Sequence, residues 1–530
     1  GAHHDANGPQ GRNWFQVSQM ELVFYDGDAN KEAGDTINVI YGADRFAEFK
    51  RVADDSEIFR GVNGSAGVIQ HVPDGTGDPD IYVLTDQEGK QYWFFGTDGD
   101  AGAAAGQLWK ILDTAENPTH VIYVGDEDDA GDAVTNGFVS GSGRLAFVYD
   151  SMDRRYSYSY DGNNRLTQAK AETKTGGTWS SPTGLSTVGQ VAYVYYDGST
   201  NYGSAGDLEF VKVTLPLTDS GVTLVKRMMY RYYKGDFNGD TNPGHNYALK
   251  YVYDFEGVRN YDWGSDSDID DADLRAASNS TLEPYAAAYF EYDSSHRLAK
   301  AWLNGACNCS GAPDGTYEFS YASNGTDDTG YDEDEWRTRT VMAQPDGSYL
   351  TQYFDETGQP LSRVITDQNP SNQNPKIWAT FVDRNSKGVV VEERTPANIT
   401  AYDHSQASFT ASSTAGLIWT YVLVGSSNME EGYVADRKYQ KGTSGTAYLD
   451  GSWTYGYTSW QVDGSESDST VVRPVLASRR EYTEAITSGT TGSNLYQYTT
   501  TYHADSGRLQ LAIKQVDTTL PAVASGNNGS

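Results

Sequence analysis

The sequence predicts an all-β protein built from repeated antiparallel hairpins, and three observations predict it. The 530 residues include 56 Gly, 39 Tyr, 17 Phe and 11 Trp but only 6 Met, a balance that suits short strands joined by tight turns. Tyr156, Tyr158 and Tyr160 fall on one side of a segment with serines between them, which is the two-residue period of a half-buried strand. One short pattern also recurs along the chain: an aromatic residue, Asp, a few turn residues, then Arg-Leu.

The pattern is clearest in Tyr160-Asp161-Gly162-Asn163-Asn164-Arg165-Leu166 and in Tyr292-Asp293-Ser294-Ser295-His296-Arg297-Leu298. A looser copy runs from Tyr502 through Gly507 to Arg508 and Leu509. Degenerate copies start at Tyr149-Asp150, Tyr253-Asp254, Phe354-Asp355 and Val382-Asp383. Physically the unit is a hairpin. Asp, Gly and Asn tolerate positive φ and bond their own backbone, so they make the turn. Leu begins the returning strand and faces inward. An Asp–Arg pair across the turn would set register more than stability, since an exposed pair contributes about 0–1 kcal/mol.

Taken in order, residues 1–80 read as mixed strands with a short helix over Ala43–Val52. Residues 81–300 read as strand repeats with a helical insertion near 266–288, where Asp270 and Asp271 stand at a favourable helix N-terminus ahead of Leu274. Residues 301–530 continue the repeats, with a loop-rich stretch from Gly305 to Trp336 and a short helix or loop over Tyr402–Ser413. The length allows three to four units of about 150 residues, or one large β body. No apolar run approaches the roughly 18 residues a membrane helix needs, so no membrane insertion is expected.

Lys and Arg number 39 against 73 Asp and Glu, a formal charge of −34. That excludes a basic footprint for nucleic acid and disfavours an anionic membrane surface. Much of the acidity falls in the turns, where it would coat a β-wall and make folding or association sensitive to calcium or salt.

Asp236, Asn238, Asp240 and Asn242 place oxygen ligands at alternate positions, as a calcium loop begins. Thr241 stands where such a loop has Gly, and Tyr247 where it has Glu, so an Asn/Asp-rich turn is the other reading. Asp266, Asp268 and Asp270 also alternate but read more simply as a helix start. Cys307 and Cys309 either form a local disulfide across one residue, a small strained ring, or remain thiols; a zinc site would need a second pair. No Gly-x-Ser-x-Gly elbow occurs, and Gly61, Gly64 and Gly67 lack the strand–helix context of a phosphate loop. No enzymatic site is expected. The Tyr ladders at 193–196, 230–233 and 247–253 read as cross-strand packing, with an exposed stripe for stacking on sugars as the alternative.

The Tyr-Asp-x-x-x-Arg-Leu motif resembles the YD repeat of the rearrangement-hotspot family, which includes teneurins and the shell proteins of insecticidal toxin complexes. The flanks agree. Gln91-Tyr92-Trp93-Phe94-Phe95 followed by Gly106-Gln107-Leu108 resembles the family's strand–Gly-Leu–strand rhythm. Arg231-Tyr232-Tyr233 with Tyr292-Asp293 and Cys307–Cys309 resembles large planctomycete-type surface YD-repeat proteins. The resemblance covers roughly residues 80–520. It implies a spiral or shell of antiparallel YD hairpins with few short helical insertions, and a secreted, extracellular or cell-surface location. The toxin branch closes its shell with an Asp-Pro-Gly-Leu boundary and an autoproteolytic Asp pair; neither is found in this sequence, which argues against self-cleavage in this segment. The expected function is therefore a non-enzymatic structural β-body forming a surface layer, shell or filament, through self-association or other surface proteins. The alternatives are an adhesin or glycan-binding module with calcium-supported loops, and a shell segment around a toxin or enzyme cargo.

Overall fold

The computed structural model describes residues 7–8, 11–12, 20–24, 32–42, 45–61, 67–72, 81–86, 90–96, 106–113, 118–123, 145–179, 181–216, 223–263, 270–303, 315–324, 336–355, 358–372, 374–385, 388–404, 408–425, 433–461, 470–502 and 513–521. It is nearly all antiparallel β. Among these residues thirty strands make one sheet, each paired with the next strand of the ladder from Glu21–Phe24 to Ile513–Thr519. Neighbours in sequence are neighbours in space, which keeps connections short. The ladder passes residue 80 between Val68–Val72 and Ile81–Thr85, and strand Leu298–Leu303 spans position 300. Three small hairpins stand outside the large sheet, among them Ile399–Asp403 with Ser408–Ala411. Among the described residues no helix is long and apolar enough to cross a membrane.

The first eight strands, Glu21–Phe24 to Leu108–Leu112, curl until the first meets the start of the eighth. Leu22 N donates to Gly106 O at 2.8 Å, and Glu21 bridges Gln107. Gly106 has φ +78, and a Cβ there would sit 2.2 Å from Leu22 O, so this meeting point needs glycine. Strand Ile81–Thr85 is buried at every position. Such a continuous apolar run is the pattern of a strand covered on both faces. Ile37, Phe49, Ile69, Leu84, Phe94 and Leu108 form its core.

The helix expected over Ala43–Val52 is instead strand Arg45–Arg51, paired with Thr36–Gly42. Ala47 and Phe49 join the core while Phe46 is 63% exposed; a period of two, not 3.6, governs the segment. The helix or loop expected over Tyr402–Ser413 contains most of the hairpin Ile399–Asp403/Ser408–Ala411.

The helical insertion forms where expected. Helix Asp271–Ala276 opens on a capping box between Asp270 and Asp273, and Ser278 caps Asn279–Leu282. A preceding helix, Phe255–Trp263, is additional. Its start corrects one repeat copy: Asp254 makes no hairpin turn but accepts from Gly257 N at 2.7 Å as an N-cap. Two arginines bind this insertion to the sheet. Arg231, 1% exposed, donates to Asn279 Oδ1 (2.7 Å) and to the carbonyls of Leu274 (3.0 Å) and Ala277 (2.7 Å). Arg275 forks onto Glu209, 2% exposed, at 2.8–2.9 Å.

Candidate functional site

The three copies with Asp150, Asp161 and Asp293 fold into one local geometry. In Tyr160–Leu166, Asp161 N donates to Arg165 O (2.9 Å) and Asn164 N to Asp161 O (3.0 Å). Asp161 Oδ1 accepts from Asn163 N and Arg165 N, both at 2.9 Å, while Oδ2 takes Arg165 Nε at 2.7 Å. Asn164, just before the Arg, has φ +64. The strand register shifts here, between Ser159 and Tyr160, as in a three-residue hairpin loop that ends in a left-handed bulge.

Tyr292–Leu298 repeats this bond for bond. Asp293 Oδ1 accepts from Ser295 N and Arg297 N at 2.9 Å each, Oδ2 from Arg297 Nε at 2.8 Å, and His296 has φ +64. Asp150 does the same with Met152, Arg154 and a left-handed Asp153 at φ +57. In the Phe354-Asp355 copy Gln359 replaces Arg; the backbone bond to Asp355 Oδ1 remains at 2.8 Å and Gly358 takes φ +81. The Val382-Asp383 copy is displaced. Its turn is built on Asn385, whose Oδ1 accepts from Val389 N at 3.0 Å, because Gly388 supplies the left-handed residue three positions later. Asp383 lies in strand Ile377–Arg384. One further copy carries neither Tyr nor Arg: Asp86 N donates to Lys90 O and Lys90 N to Asp86 Oδ1, at 3.0 and 2.9 Å.

The carboxylates of Asp150, Asp161 and Asp293 are each turned onto their own hairpin. Burial raises the Asp161 carboxyl, but hydrogen bonds from the Arg165 backbone and side chain and from Asn163 outweigh it and hold the group below the usual carboxylate range. Asp150 and Asp293 follow the same balance. A carboxylate held this way is turned onto its own hairpin and stays ionised, which suits a fastener.

The third member of the site is a tyrosine that the sequence had assigned to packing. Tyr195 Oη donates to Leu166 O at 2.6 Å, and Arg165 lies over its ring at 4.7 Å. Tyr321 Oη donates to Leu298 O at 2.8 Å, under Arg297 at 4.5 Å. Tyr292 does this to Leu249 O (2.9 Å) and Tyr455 to Val434 O (2.8 Å). In all four cases the acceptor is the first residue of its strand. By the strand registers, the tyrosine sits one residue past the position opposite the acceptor. The turn leaves that first carbonyl at the frayed end of the ladder, and the phenol supplies the missing donor. Burial pushes the Tyr292 phenol up to about 12 and raises Tyr195 and Tyr321 as well, so all three hold their proton at neutral pH. Tyr292 has two roles: it is the Tyr of its own motif and the lock on the preceding strand.

The other sequence candidates are placed as follows. Asp236, Asn238, Asp240 and Asn242 share one surface loop, closed by Asn238 N to Asn242 O at 3.0 Å. Asn242 turns its amide nitrogen onto the carbonyl of Asp236 at 2.8 Å. Among the described residues no group of three or more His, Cys, Asp or Glu is placed to hold a metal. Tyr502 ends strand Ser493–Tyr502 and pairs with Ile513. Gly507, Arg508, Leu509, Cys307 and Cys309 lie outside the described residues.

No protein-family model matches this chain, and no curated protein does. Among solved structures it is similar to the crystal structure of TcdB2-TccC3, at 11% identity over 82% of this chain and 26% of that one, with a TM-score of 0.27. It is similar to the Photorhabdus luminescens Tc holotoxin pore at 10% identity, covering 89% and 22%, with a TM-score of 0.27. A porin-like protein from Bacteroides uniformis aligns at 8% identity over 71% and 96%, with a TM-score of 0.16. This chain spans about a quarter of the length of the first two.

Proposed function

We propose that this chain is a non-enzymatic structural protein, an acidic wall segment of an extracellular shell or surface layer. The observation that carries this reading is the tyrosine lock at one fixed offset in four places. Each lock fastens the end of one strand to its neighbour with the same offset, and a fastening repeated in this way suits a continuous wall. The Asp–Arg turns support the same reading, since Asp150, Asp161 and Asp293 are each bound to the backbone and arginine of their own hairpin and hold its shape. The first strand is tied to Gly106, which limits end-to-end pairing on that side and favours a shell or layer over a filament.

Electron microscopy of the purified chain over a concentration series tests this. Curved, hollow-walled particles of constant size are expected. Filaments that lengthen with concentration, or a solid globule, would overturn it.

A further inference from the structure

We propose that the hairpin Ile399–Asp403/Ser408–Ala411 is a displaceable strap, held down by His404 in its neutral form, and that mild acid releases it and bares the apolar face beneath.

The topology permits release. The strands flanking the hairpin, Val390–Arg394 and Leu417–Leu423, pair directly with each other, so the sheet ladder continues without the strap. The strap is hinged at Asn398, which is fully buried and whose amide holds the carbonyls of Ser412 (3.1 Å) and Ala415 (2.9 Å). Its underside covers the sheet: Ile399, Tyr402 and Phe409 pack on the cluster of Tyr353, Val364 and Ala379, with Phe409 4.4 Å from Phe381.

The polar grip is concentrated at one end. Tyr353 Oη donates to His404 O at 2.8 Å, and Arg339 Nη1 donates to the same carbonyl at 2.7 Å. His404 Nδ1 lies 3.1 Å from the hydroxyls of both Tyr353 and Tyr402, which also bond each other. With the Tyr353 hydroxyl and Arg339 Nη1 on the carbonyl, the Tyr402 hydroxyl proton is the one that can reach Nδ1 or Tyr353. The groups facing the imidazole are Arg339 and Tyr353 from the sheet and Tyr402 and Asp403 from the strap itself. Arg394, near the strap's other strand, is over Phe409 and paired with Glu392. Protonation would set an imidazolium against the Arg339 guanidinium in a half-buried place, with only Asp403 opposing.

Burial first, then Arg339, hold His404 down to about 4 against an ordinary 6.5, while Asp403 opposes. The docked strap therefore prefers neutral His404. Its stability is fully present above pH 6.5 and is lost as pH falls toward 4, by about tenfold in opening constant per pH unit.

Hydrogen exchange of the full chain, corrected for the intrinsic pH dependence, reads this directly. Amides of 399–404 and 408–411 are expected to open through the window from 6.5 to 4 while 417–423 stay protected. His404→Asn keeps an acceptor near Nδ1 without the proton and should abolish the acid opening. Should that variant misfold by circular dichroism at pH 7.5, NMR titration of the His404 ring in the natural chain replaces it, and its midpoint must track strap opening. Exchange of 399–404 and 408–411 that ignores pH, the same acid opening in His404→Asn, a His404 midpoint near 6.5, or simultaneous opening of 417–423 would each overturn the proposal.

Discussion

Residues 20–112 and residues 145–502 share one ladder but are held together by different means. The first region has strands of four to seven residues, rolled around a continuous apolar core and closed at Gly106. The second has strands as long as Tyr448–Gln461, 14 residues, with many half-buried positions and its Asp–Arg–Tyr fastenings at strand ends. The difference teaches that an extended sheet need not bury both faces to be specific. Where core is scarce, turns and end-of-strand locks define the shape.

The comparison breaks most visibly in the core of the first region. Phe49 is fully buried, and Phe49→Ala is expected to cost about 3–5 kcal/mol, measured by denaturant unfolding, with loss of exchange protection across 20–112 while 145–502 is largely spared. Equal loss in both regions would show one cooperative core. Gly106→Ala comes next, at about 1–3 kcal/mol for a side chain at positive φ, and should free the Leu22 amide in particular.

In the second region the effects are smaller and local. Asp161→Ala removes the acceptor of three hydrogen bonds and should cost about 1–3 kcal/mol, seen as faster exchange in 155–173. Tyr195→Phe should cost about 1 kcal/mol and free the strand end at Leu166. Because the Asp150, Asp161 and Asp293 carboxyls are held below their ordinary value of 3.8, the stability they lend is present above pH 3.8 and is lost as pH falls below it. Turns should therefore outlast the His404 strap in an acid titration. The smallest effect is expected from calcium. Loop 236–242 already closes through its own hydrogen bonds, so chelation should lower the unfolding midpoint by less than any substitution above. A shift on chelation that vanishes in Asp240→Asn would place an ion there.

The hairpin motif was legible because its chemistry is local: Asp, a left-handed residue and Arg lie within five positions. The lock was not. Tyrosine and carbonyl are separated by 21, 23, 29 and 43 residues, and only the strand register brings them to one offset. The Asp86–Lys90 turn was not legible because it carries neither Tyr nor Arg. Tyr253-Asp254 misled for the converse reason: an Asp that caps a turn also caps a helix, and the residues after it decide. Asn385 shows that the left-handed glycine, more than the Asp, sets where a turn falls.

The Tyr292 lock gives the chain a direction in time. A protein emerging from its N-terminus makes the turn at Asp293 before strand Thr316–Ser323 exists, so the carbonyl of Leu298 waits for Tyr321. The hairpins that end at Leu166 and Leu298 are thus finished by the strand that follows them, and stay provisional until it forms. A chain cut before residue 316 should keep the lock on Leu249 and lose the one on Leu298, which amide exchange at the two strand ends would distinguish. An architecture completed one step behind its own growth can be lengthened by whole repeats without redesigning those already made.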